Sequence, residues 1–265
     1  MILDELVAAT RKNLQERQAQ VPLAVLQAQL ATLPPRPHFT LNAQASDQPI
    51  KVIAEIKQAS PSKGQIVDPA TFDYQQIARD YTAAHVDMIS VLTEEDYFKG
   101  SLAILSAVAQ TTQLPILRKD FTIDPYMLYE AKVAGASAIL LIVAILTDAQ
   151  LKDFLALAHE LDLAALVEAH DADEIQRAIT AGATMIGVNN RNLKDFSVDF
   201  NNTQRLRASI PTDIAVISES GIQTRTDVAQ LEAAGINAIL VGETFMRATD
   251  KPAMIAKLRG QYPRG

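Results

Sequence analysis

The sequence AGASAIL at residues 134–140 combines a helix end, a glycine suited to a left-handed cap, a short turn and the start of a buried strand. The same pattern occurs as AAHVDMI at 83–89, AGATMIG at 181–187 and AGINAIL at 234–240. The second positions, residues 84, 135, 182 and 235, are separated by 51, 47 and 53 residues. Because another apolar run lies between successive copies, each unit predicts two strand–helix pairs, and four units predict eight.

Eight parallel strands with helices between them close into a barrel, so the predicted fold class is α/β, a single (β/α)8 TIM barrel with an N-terminal helical extension. The strands are expected near residues 51–57, 87–93, 115–119, 138–143, 164–168, 184–189, 214–219 and 237–242. Capping residues and prolines predict helices near residues 72–84, 102–110, 126–134, 149–161 and 225–234.

The helical extension is expected to take residues 1–45 and the barrel residues 46–265, as one structural domain. Amphipathic patterns predict helices near 3–20 and 22–31, followed by a stiff proline-rich linker at 34–37. Two placements of the extension remain open. It either plugs the bottom of the barrel or covers the mouth.

Composition limits the classes of function. The 265 residues include no Cys, which fits a reducing compartment, and the four His show no paired spacing, so no metal site is expected. A net charge of −7 makes nucleic acid an unexpected partner. The acidic N-terminus is unlike a targeting peptide, and the apolar stretch at 138–146 is too short to span a membrane. A cytoplasmic protein without a membrane partner is expected.

Ionisable or amide side chains occur where several predicted strands end. Glu55 and Lys57 end the first strand, Lys119 the third, Glu168 the fifth and Asn189 the sixth. Buried parallel strands are normally apolar throughout, and barrel enzymes keep their chemistry at the C-terminal ends of the strands. The pattern therefore predicts an enzyme, with Glu55 and Lys57 on the same side of their strand.

Glycines follow the last two strands, in SESGI at 218–222 and LVGET at 240–244. Barrels of this kind commonly bind phosphate through the loops after strands 7 and 8. Gly221 and Gly242 would let the backbone approach an anion closely. The alternative is that both are only tight turns, but two glycines at matching strand ends favour a phosphate site.

Five motifs together resemble indole-3-glycerol phosphate synthase, in its stand-alone bacterial form. They are AEIKQASPSKG at 54–64, VLTEEDYFKGS at 91–101, LRKDF at 117–121, GVNNRNL at 187–193 and SESGI at 218–222. The resemblance extends over essentially the whole chain. It implies closure of 1-(2-carboxyphenylamino)-1-deoxyribulose 5-phosphate to indole-3-glycerol phosphate in tryptophan biosynthesis, with release of CO2 and water and without a cofactor.

The same resemblance implies roles for the rim residues. Lys119 would be the general acid and Glu168 would accept and return protons. Lys57 would bind anionic groups or act as a second acid, and Glu55 would orient it. The resemblance implies that the remaining residues bind the substrate through its carboxylate, hydroxyls, phosphate and aromatic ring: Asn189, Glu219, Arg191, Ser60, Ser220, Gly221, Gly242, Glu243, Phe98 and Phe121.

Elementary chemistry supports these roles. Lysine is charged at neutral pH, and burial is expected to raise the pKa of Glu168 towards the range of a base that also acts as an acid. His170 is expected to lie at the surface or to support the site from behind. The expected partner is a small phosphorylated substrate, and the protein is expected to be a monomer or weak homodimer.

Three alternatives compete with this function. A Schiff-base aldolase needs a neutral lysine, whereas Glu55 and Glu168 would keep the lysines charged. Phosphoribosylanthranilate isomerase, a related barrel, uses a Cys base that this sequence lacks. A barrel that only binds a sugar phosphate or a partner would have lost its acid and base residues, whereas Lys57, Lys119 and Glu168 are all present.

Overall fold

The computed structural model describes residues 2–44, 49–193 and 195–261. Eight parallel strands form a closed barrel in which each strand pairs with the next along the chain and the last pairs with the first. The strands are β1 Lys51–Ile56, β2 Met88–Leu92, β3 Ile116–Lys119, β4 Ala138–Ile142, β5 Ala164–Ala169, β6 Met185–Asn189, β7 Ala215–Glu219 and β8 Ala238–Val241. The predicted fold class is confirmed, and every predicted strand end lies within one residue of the observed one.

Helices surround the barrel and precede it. The helices are α1 Ile2–Gln20, α2 Leu23–Leu30, α3 Tyr74–Ala83, α4 Leu102–Thr111, α5 Tyr126–Ala134, α6 Asp148–Glu160, α7 Ala172–Ala181, α8 Asn202–Arg207, α9 Arg225–Ala233, α10 Glu243–Arg247 and α11 Lys251–Leu258. Side-chain caps that satisfy free backbone N–H groups start several of them, including Ser101 before α4 and Thr147 before α6.

Three of the four repeat units have the predicted left-handed residue at their second position, and in the first unit it lies one residue later. Gly135 and Gly182 follow α5 and α7 directly, with φ of 95° and 94°. Gly235 has a φ of 71°, one residue beyond the C-cap of α9. In the first unit His85 takes this conformation, with a φ of 53°. The turn therefore tolerates a side chain there, at the steric cost of a left-handed residue.

The core has two layers, which follow from the alternation of side chains along each strand. The inner layer fills the barrel with apolar side chains, among them Ile53, Leu117, Leu166 and Ile217 from β1, β3, β5 and β7. Strand residues of the opposite parity pack against the helices. Because Ile53 faces the interior, Glu55, two residues further on, does so as well.

The first helix of the extension lies over the mouth of the barrel. Leu6 of α1 packs in the inner apolar cluster with Phe121, which follows β3. Further along α1, Arg17 Nε donates to Glu130 Oε1 of α5 at 2.8 Å, and Asn13 Nδ2 donates to Asp96 Oδ2 at 3.1 Å. Of the two predicted placements of the extension, the cover over the barrel mouth describes α1.

The end of the extension reaches the opposite side. Arg36 donates to the carbonyl oxygens of Ala109 at 2.7 Å and Leu114 at 3.1 Å, at the end of α4 and just before β3. Phe39 then belongs to the inner apolar cluster, together with Ala238, the first residue of β8. The placement as a plug therefore holds for this segment. The predicted boundary between residues 45 and 46 lies outside the described residues.

The loop after β1 contains a short hairpin, in which Ala59 pairs with Gln65 and Ser60 with Gly64. The hairpin holds Ser60 at the wall of the cavity described below. Among the described residues, no helix is both long enough and apolar enough to cross a membrane.

Candidate active site

The C-terminal ends of the strands surround a cavity of about 1050 Å³. Leu6 of α1 forms part of its wall. All of the residues that the sequence analysis assigned to catalysis or binding line this cavity: Glu55, Lys57, Ser60, Phe98, Lys119, Phe121, Glu168, Asn189, Arg191, Glu219, Ser220, Gly221, Gly242 and Glu243. The fold thus brings the whole set together, while the role of each residue stays a prediction.

Four charged residues form one layer at the floor of the cavity. Glu55, Lys119, Glu168 and Glu219 come from β1, β3, β5 and β7, and alternate strands of such a barrel contribute to the same layer. The Nζ atom of Lys119 lies 2.9 Å from Glu168 Oε2 and 3.3 Å from Glu219 Oε2. One ammonium group is therefore held among three carboxyl groups directly above the apolar interior.

These carboxyl groups control the protonation of Lys119. Burial by itself lowers the pKa of the ammonium, but the charges of Glu168, Glu219 and Glu55 outweigh burial and raise the pKa of Lys119 well above its ordinary value. The lysine therefore carries its proton at neutral pH in the free protein. The predicted effect of neighbouring carboxylates on this lysine is confirmed.

Glu168 behaves differently from the prediction. Burial raises the pKa of its carboxyl group, as expected, but the charges of Lys119 and His170 act more strongly and lower the pKa to about 2. A hydrogen bond with Asn189 contributes in the same direction. The predicted rise of the Glu168 pKa is therefore wrong, because desolvation was considered without the two cations. Glu168 is a carboxylate in the free protein and can accept a proton.

Glu219 carries the raised pKa instead. Burial acts first, and together with the negative charges of Glu168 and Glu55 it outweighs Lys119 and raises the pKa of Glu219 to about 8. Glu168 and Glu219 share one ammonium, so the two titrate as a coupled pair. Within the described structure Glu219 Oε1 makes no hydrogen bond, and the residue forms part of the cavity wall. A protonated Glu219 can thus donate to a bound anion or hydroxyl.

Replacing Glu219 by glutamine is expected to weaken the pH dependence of stability. The carboxyl has a pKa of about 8 when folded and an ordinary value of 4.5. Between these values the folded protein keeps a proton that the unfolded chain loses, so the free energy of unfolding falls as pH rises. Glu219→Gln should remove at least about 1 kcal/mol of this fall, the value of one pKa unit. Urea unfolding at the two ends of this pH range measures it.

Glu160→Gln is a matched control, because Glu160 is exposed at the end of α6. Glu168 does not affect this measurement, because its pKa is lowered in the folded protein. Its contribution to the free energy of unfolding is lost only below pH 4.5, outside the measured range. If Glu219→Gln and Glu160→Gln keep the same pH dependence, the raised pKa of Glu219 is contradicted.

Glu55 and Lys57 form a close pair next to strand β8. Lys57 Nζ lies 2.5 Å from Glu55 Oε1, which supports the predicted orienting role of Glu55. A Cβ atom at Gly242 would collide with the Glu55 carboxyl and would lie 3.0 Å from Lys57 Nζ. Gly242 is therefore required by the packing of Glu55, whether or not a phosphate also approaches it.

The loop after β7 has an unusual backbone that a buried polar cluster holds. Ser220 and Gly221 both have positive φ, 68° and 82°. Asn190 Nδ2 donates to the carbonyl oxygen of Ser220 at 3.0 Å, and Asn190 Oδ1 accepts from Thr203 Oγ1 at 2.8 Å. This support holds the proposed phosphate loop in place. The sequence analysis quoted Asn190 within a motif but assigned it no role.

The aromatic side of the cavity is also supported from below. The Glu94 carboxylate accepts hydrogen bonds from the backbone N–H groups of Tyr97 at 2.8 Å and Phe98 at 2.9 Å. This brings Phe98 next to Phe121, with 6.3 Å between ring centroids. The two rings and Leu6 give the cavity an apolar wall where a flat ring could pack.

The structure places His170 behind the proposed base, the second of the two positions expected from the sequence. Its Nε2 atom lies 3.5 Å from Glu168 Oε1, and its Nδ1 atom lies 3.0 Å from Glu174 Oε2. A signal was available, because His170 is two residues after Glu168 and side chains alternate along an extended chain. The residue is thus a direct neighbour of the proposed base.

Fold and site together define a (β/α)8-barrel enzyme suited to acid–base chemistry on an anionic substrate. A family model described as indole-3-glycerol phosphate synthase matches residues 3–258. The chain belongs to this family, whose members are carboxy-lyases of tryptophan biosynthesis.

Two relatives and one solved structure illustrate the similarity. Indole-3-glycerol phosphate synthase of Leuconostoc mesenteroides is 62% identical over 261 residues, 98% of this chain and 100% of the relative. The enzyme of the same name from Lacticaseibacillus paracasei is 53% identical over 98% of this chain and 99% of its own length. The solved 3-hexulose-6-phosphate synthase from Salmonella typhimurium matches 80% of this chain and 97% of its own, with TM-score 0.64 and 14% identity, which shows the fold alone.

Proposed function

We propose that the protein converts 1-(2-carboxyphenylamino)-1-deoxyribulose 5-phosphate to indole-3-glycerol phosphate, CO2 and water, with Lys119 as the main acid. The observation that carries the residue assignment is the Lys119 ammonium, held 2.9 Å from Glu168 and 3.3 Å from Glu219 at the floor of the cavity. The family supplies the reaction, and this layer supplies a proton donor next to a proton acceptor.

Ring closure requires an acid at the ribulose carbonyl. The ring carbon that carries the carboxylate attacks this carbonyl, and the developing alkoxide takes a proton from Lys119. Loss of the carboxylate as CO2 then restores the aromatic ring. A positioned proton-transfer group of this kind typically contributes about 10²- to 10⁴-fold to the rate.

Loss of water completes the indole and requires both a base and an acid. Glu168 is ionised in the free protein, which suits it to accept a proton from the intermediate and return it to the leaving hydroxyl. Lys57 is the candidate second acid, since its ammonium also lines the cavity. The proposal does not divide the steps between the two lysines further.

Substrate binding uses the remaining walls. Phe98 and Phe121 would flank the anthranilate ring, and Ser60 would add a hydroxyl from the hairpin. Arg191, Asn189 and protonated Glu219 would hold the carboxylate and hydroxyls. The phosphate would bind at the loops after β7 and β8, mostly through backbone N–H groups of Ser220, Gly221, Gly242 and Glu243.

The Schiff-base alternative is disfavoured by the charge around Lys119. An imine forms only from a neutral amine, and the carboxylates beside Lys119 raise its pKa rather than lower it. A barrel that only binds its ligand is disfavoured as well, because it would have no need to bury an ammonium among three carboxyl groups.

The compartment, the oligomeric state and the partners of the protein are also proposals. We propose a cytoplasmic protein that is a monomer or weak homodimer and uses neither nucleic acid nor a membrane as partner. The absence of Cys and the net charge of −7 support the compartment and the lack of a nucleic-acid partner.

The test is turnover of the proposed substrate by the purified protein in the presence of EDTA. A rise of indole fluorescence is expected, and because the chain has no Trp the background is low. Borohydride treatment with substrate should leave Lys119 unmodified. A stable adduct on Lys119 would instead support the aldolase, and bound substrate without turnover would support the binding-only barrel.

A further inference from the structure

The reaction has a requirement that the catalytic layer alone does not meet. A carboxylate leaves as neutral CO2, so each turnover consumes one proton, which Lys119 delivers and must recover. Glu168 and Glu219 are each 2% exposed and the Lys119 side chain is 14% exposed, and all three line the cavity. A substrate that fills the cavity would separate them from solvent on that side, which leaves a route through the protein. This inference rests on the proposed function.

His170 lies on a direct path from the surface to Lys119. Its side chain is 16% exposed, and its Nε2 atom faces Glu168 Oε1 at 3.5 Å. The other oxygen of Glu168, Oε2, lies 2.9 Å from Lys119 Nζ. The imidazole and the ammonium therefore contact opposite oxygens of one carboxylate.

The hydrogen bonds of His170 determine which nitrogen titrates. Glu174 Oε2 accepts from the His170 backbone N–H at 2.7 Å and lies 3.0 Å from Nδ1. Since a carboxylate only accepts, Nδ1 carries a proton in both charge states. The exchangeable proton is then on Nε2, a buried atom without a hydrogen-bond partner in the described structure that faces Glu168. Asn202 Nδ2 also holds the backbone of His170, at 3.1 Å from its carbonyl oxygen.

We infer that His170, positioned by Glu174, is the residue that returns a proton from solvent to Glu168 and through it to Lys119. His170 Nε2–H gives its proton to Glu168 Oε1, and the imidazole becomes neutral. The carboxylic acid turns about its Cγ–Cδ bond and gives the proton to the neutral Lys119 amine. A turn of the partly exposed neutral ring then brings Nε2 to solvent, which protonates it, and the reverse turn restores its contact with Glu168, so one proton enters for each one consumed.

The charges around His170 suit this role. Burial lowers the pKa of the imidazole, but the hydrogen bond to Glu174 and the charges of Glu168, Glu174 and Glu219 outweigh it and raise the pKa. Lys119 is the nearby cation, on the far side of Glu168. His170 is therefore protonated at neutral pH, and kcat should fall as pH rises through its raised pKa, above the ordinary value of about 6.5.

The main test compares kcat and KM across this pH range for the intact protein and two variants. His170→Asn should lower kcat at least about ten-fold, leave KM nearly unchanged and remove the fall of kcat at alkaline pH. Glu174→Gln should keep activity but shift this fall to lower pH. His159→Asn, on the exposed end of α6, is the matched control and should leave the profile unchanged. An unchanged kcat and pH profile in His170→Asn would overturn the inference.

Two further measurements separate this role from a structural one and from the proposed function. Imidazole added to His170→Ala should raise kcat, and imidazole without effect would count against the relay. An NMR titration of His170 should show its pKa falling in Glu168→Gln, a result that needs no turnover. If the intact protein shows no turnover, the proposed function fails, while an unchanged His170 pKa in Glu168→Gln overturns the inference by itself.

Discussion

Replacing Lys119 by methionine is expected to lower kcat by about 10²- to 10⁴-fold, the usual contribution of a positioned proton donor. Methionine keeps much of the side-chain length and removes only the ammonium group. The measurement is the indole-forming assay at saturating substrate, with substrate affinity determined separately by titration. Lys132→Met is the matched control, since Lys132 is part of α5 and its Nζ donates to the Asp162 carbonyl oxygen outside the cavity.

A second variant separates the lost acid from a disturbed site. Without Lys119, Glu168 and Glu219 remain buried with one cation fewer, and their repulsion could distort the layer. Adding Glu219→Gln to Lys119→Met removes one of the two carboxyl groups. If the acid itself matters, the double variant stays as slow as the single one. A loss of less than ten-fold in Lys119→Met, or recovery in the double variant, would contradict the role of Lys119 as the acid.

The sequence was informative wherever one local rule decided the structure. Buried parallel strands are apolar, so each strand could be placed, and a charged residue at a strand end could be assigned to the rim. The alternation of side chains then correctly placed Glu55 inside the barrel. The repeat in the AGASAIL pattern supplied the number of strands, and hence the closed barrel.

Properties that depend on several strands together could not be read in this way. The pKa of Glu168 depends on Lys119, from another strand, and on His170, so an argument from burial alone gave the wrong direction. The raised pKa of Glu219 has the same origin, since it comes from burial together with carboxylates that other strands contribute. Local sequence reports the kind of group but not the distances between groups.

The extension shows a different limit. The alternatives of cover and plug were treated as exclusive, yet α1 covers the mouth through Leu6 while Phe39 packs at the bottom. Both segments carry apolar residues, and an apolar residue in the sequence does not indicate which end of the barrel it contacts. The hydrogen bonds of Arg36 to the end of α4, which guide the chain past the barrel wall, involve backbone oxygens that any sequence provides.

Arg118 illustrates how a charge outside the cavity supports the catalytic layer. It alternates with Lys119 and therefore points away from the cavity, into the space between β3 and the helices, where its side chain is 1% exposed. Arg118 Nη2 lies 3.0 Å from Asp120 Oδ2, and Nη1 donates to the Met127 carbonyl oxygen at 2.7 Å. Nη1 also lies 3.3 Å from Glu130 Oε2. One guanidinium thus joins the end of β3 to α5.

Replacing Arg118 by methionine is expected to lower the free energy of unfolding by about 3–5 kcal/mol, because removing one partner leaves a buried charge without compensation. Asp120 is affected most, because among the described residues it keeps only the neutral donors Thr93 Oγ1 and the Phe121 N–H. Glu130 keeps a charged partner, since Arg17 Nε still donates to it at 2.8 Å. Urea unfolding measures the change. Arg205→Met is the matched control, because the pair of Arg205 with Asp199 is exposed on both sides, and its unfolding midpoint should hardly move.

The double variant Arg118→Met with Asp120→Asn tests the cause. If the stranded carboxylate accounts for the loss, neutralising Asp120 should recover a substantial part of it, whereas a loss from poor packing of methionine would remain. In these variants kcat should fall and recover together with the free energy of unfolding, because Asp120 directly follows Lys119 at the end of β3. An Arg118→Met protein as stable as the Arg205→Met control would mean that α5 is held by apolar packing alone. The buried guanidinium would then have no measurable part in positioning the catalytic lysine.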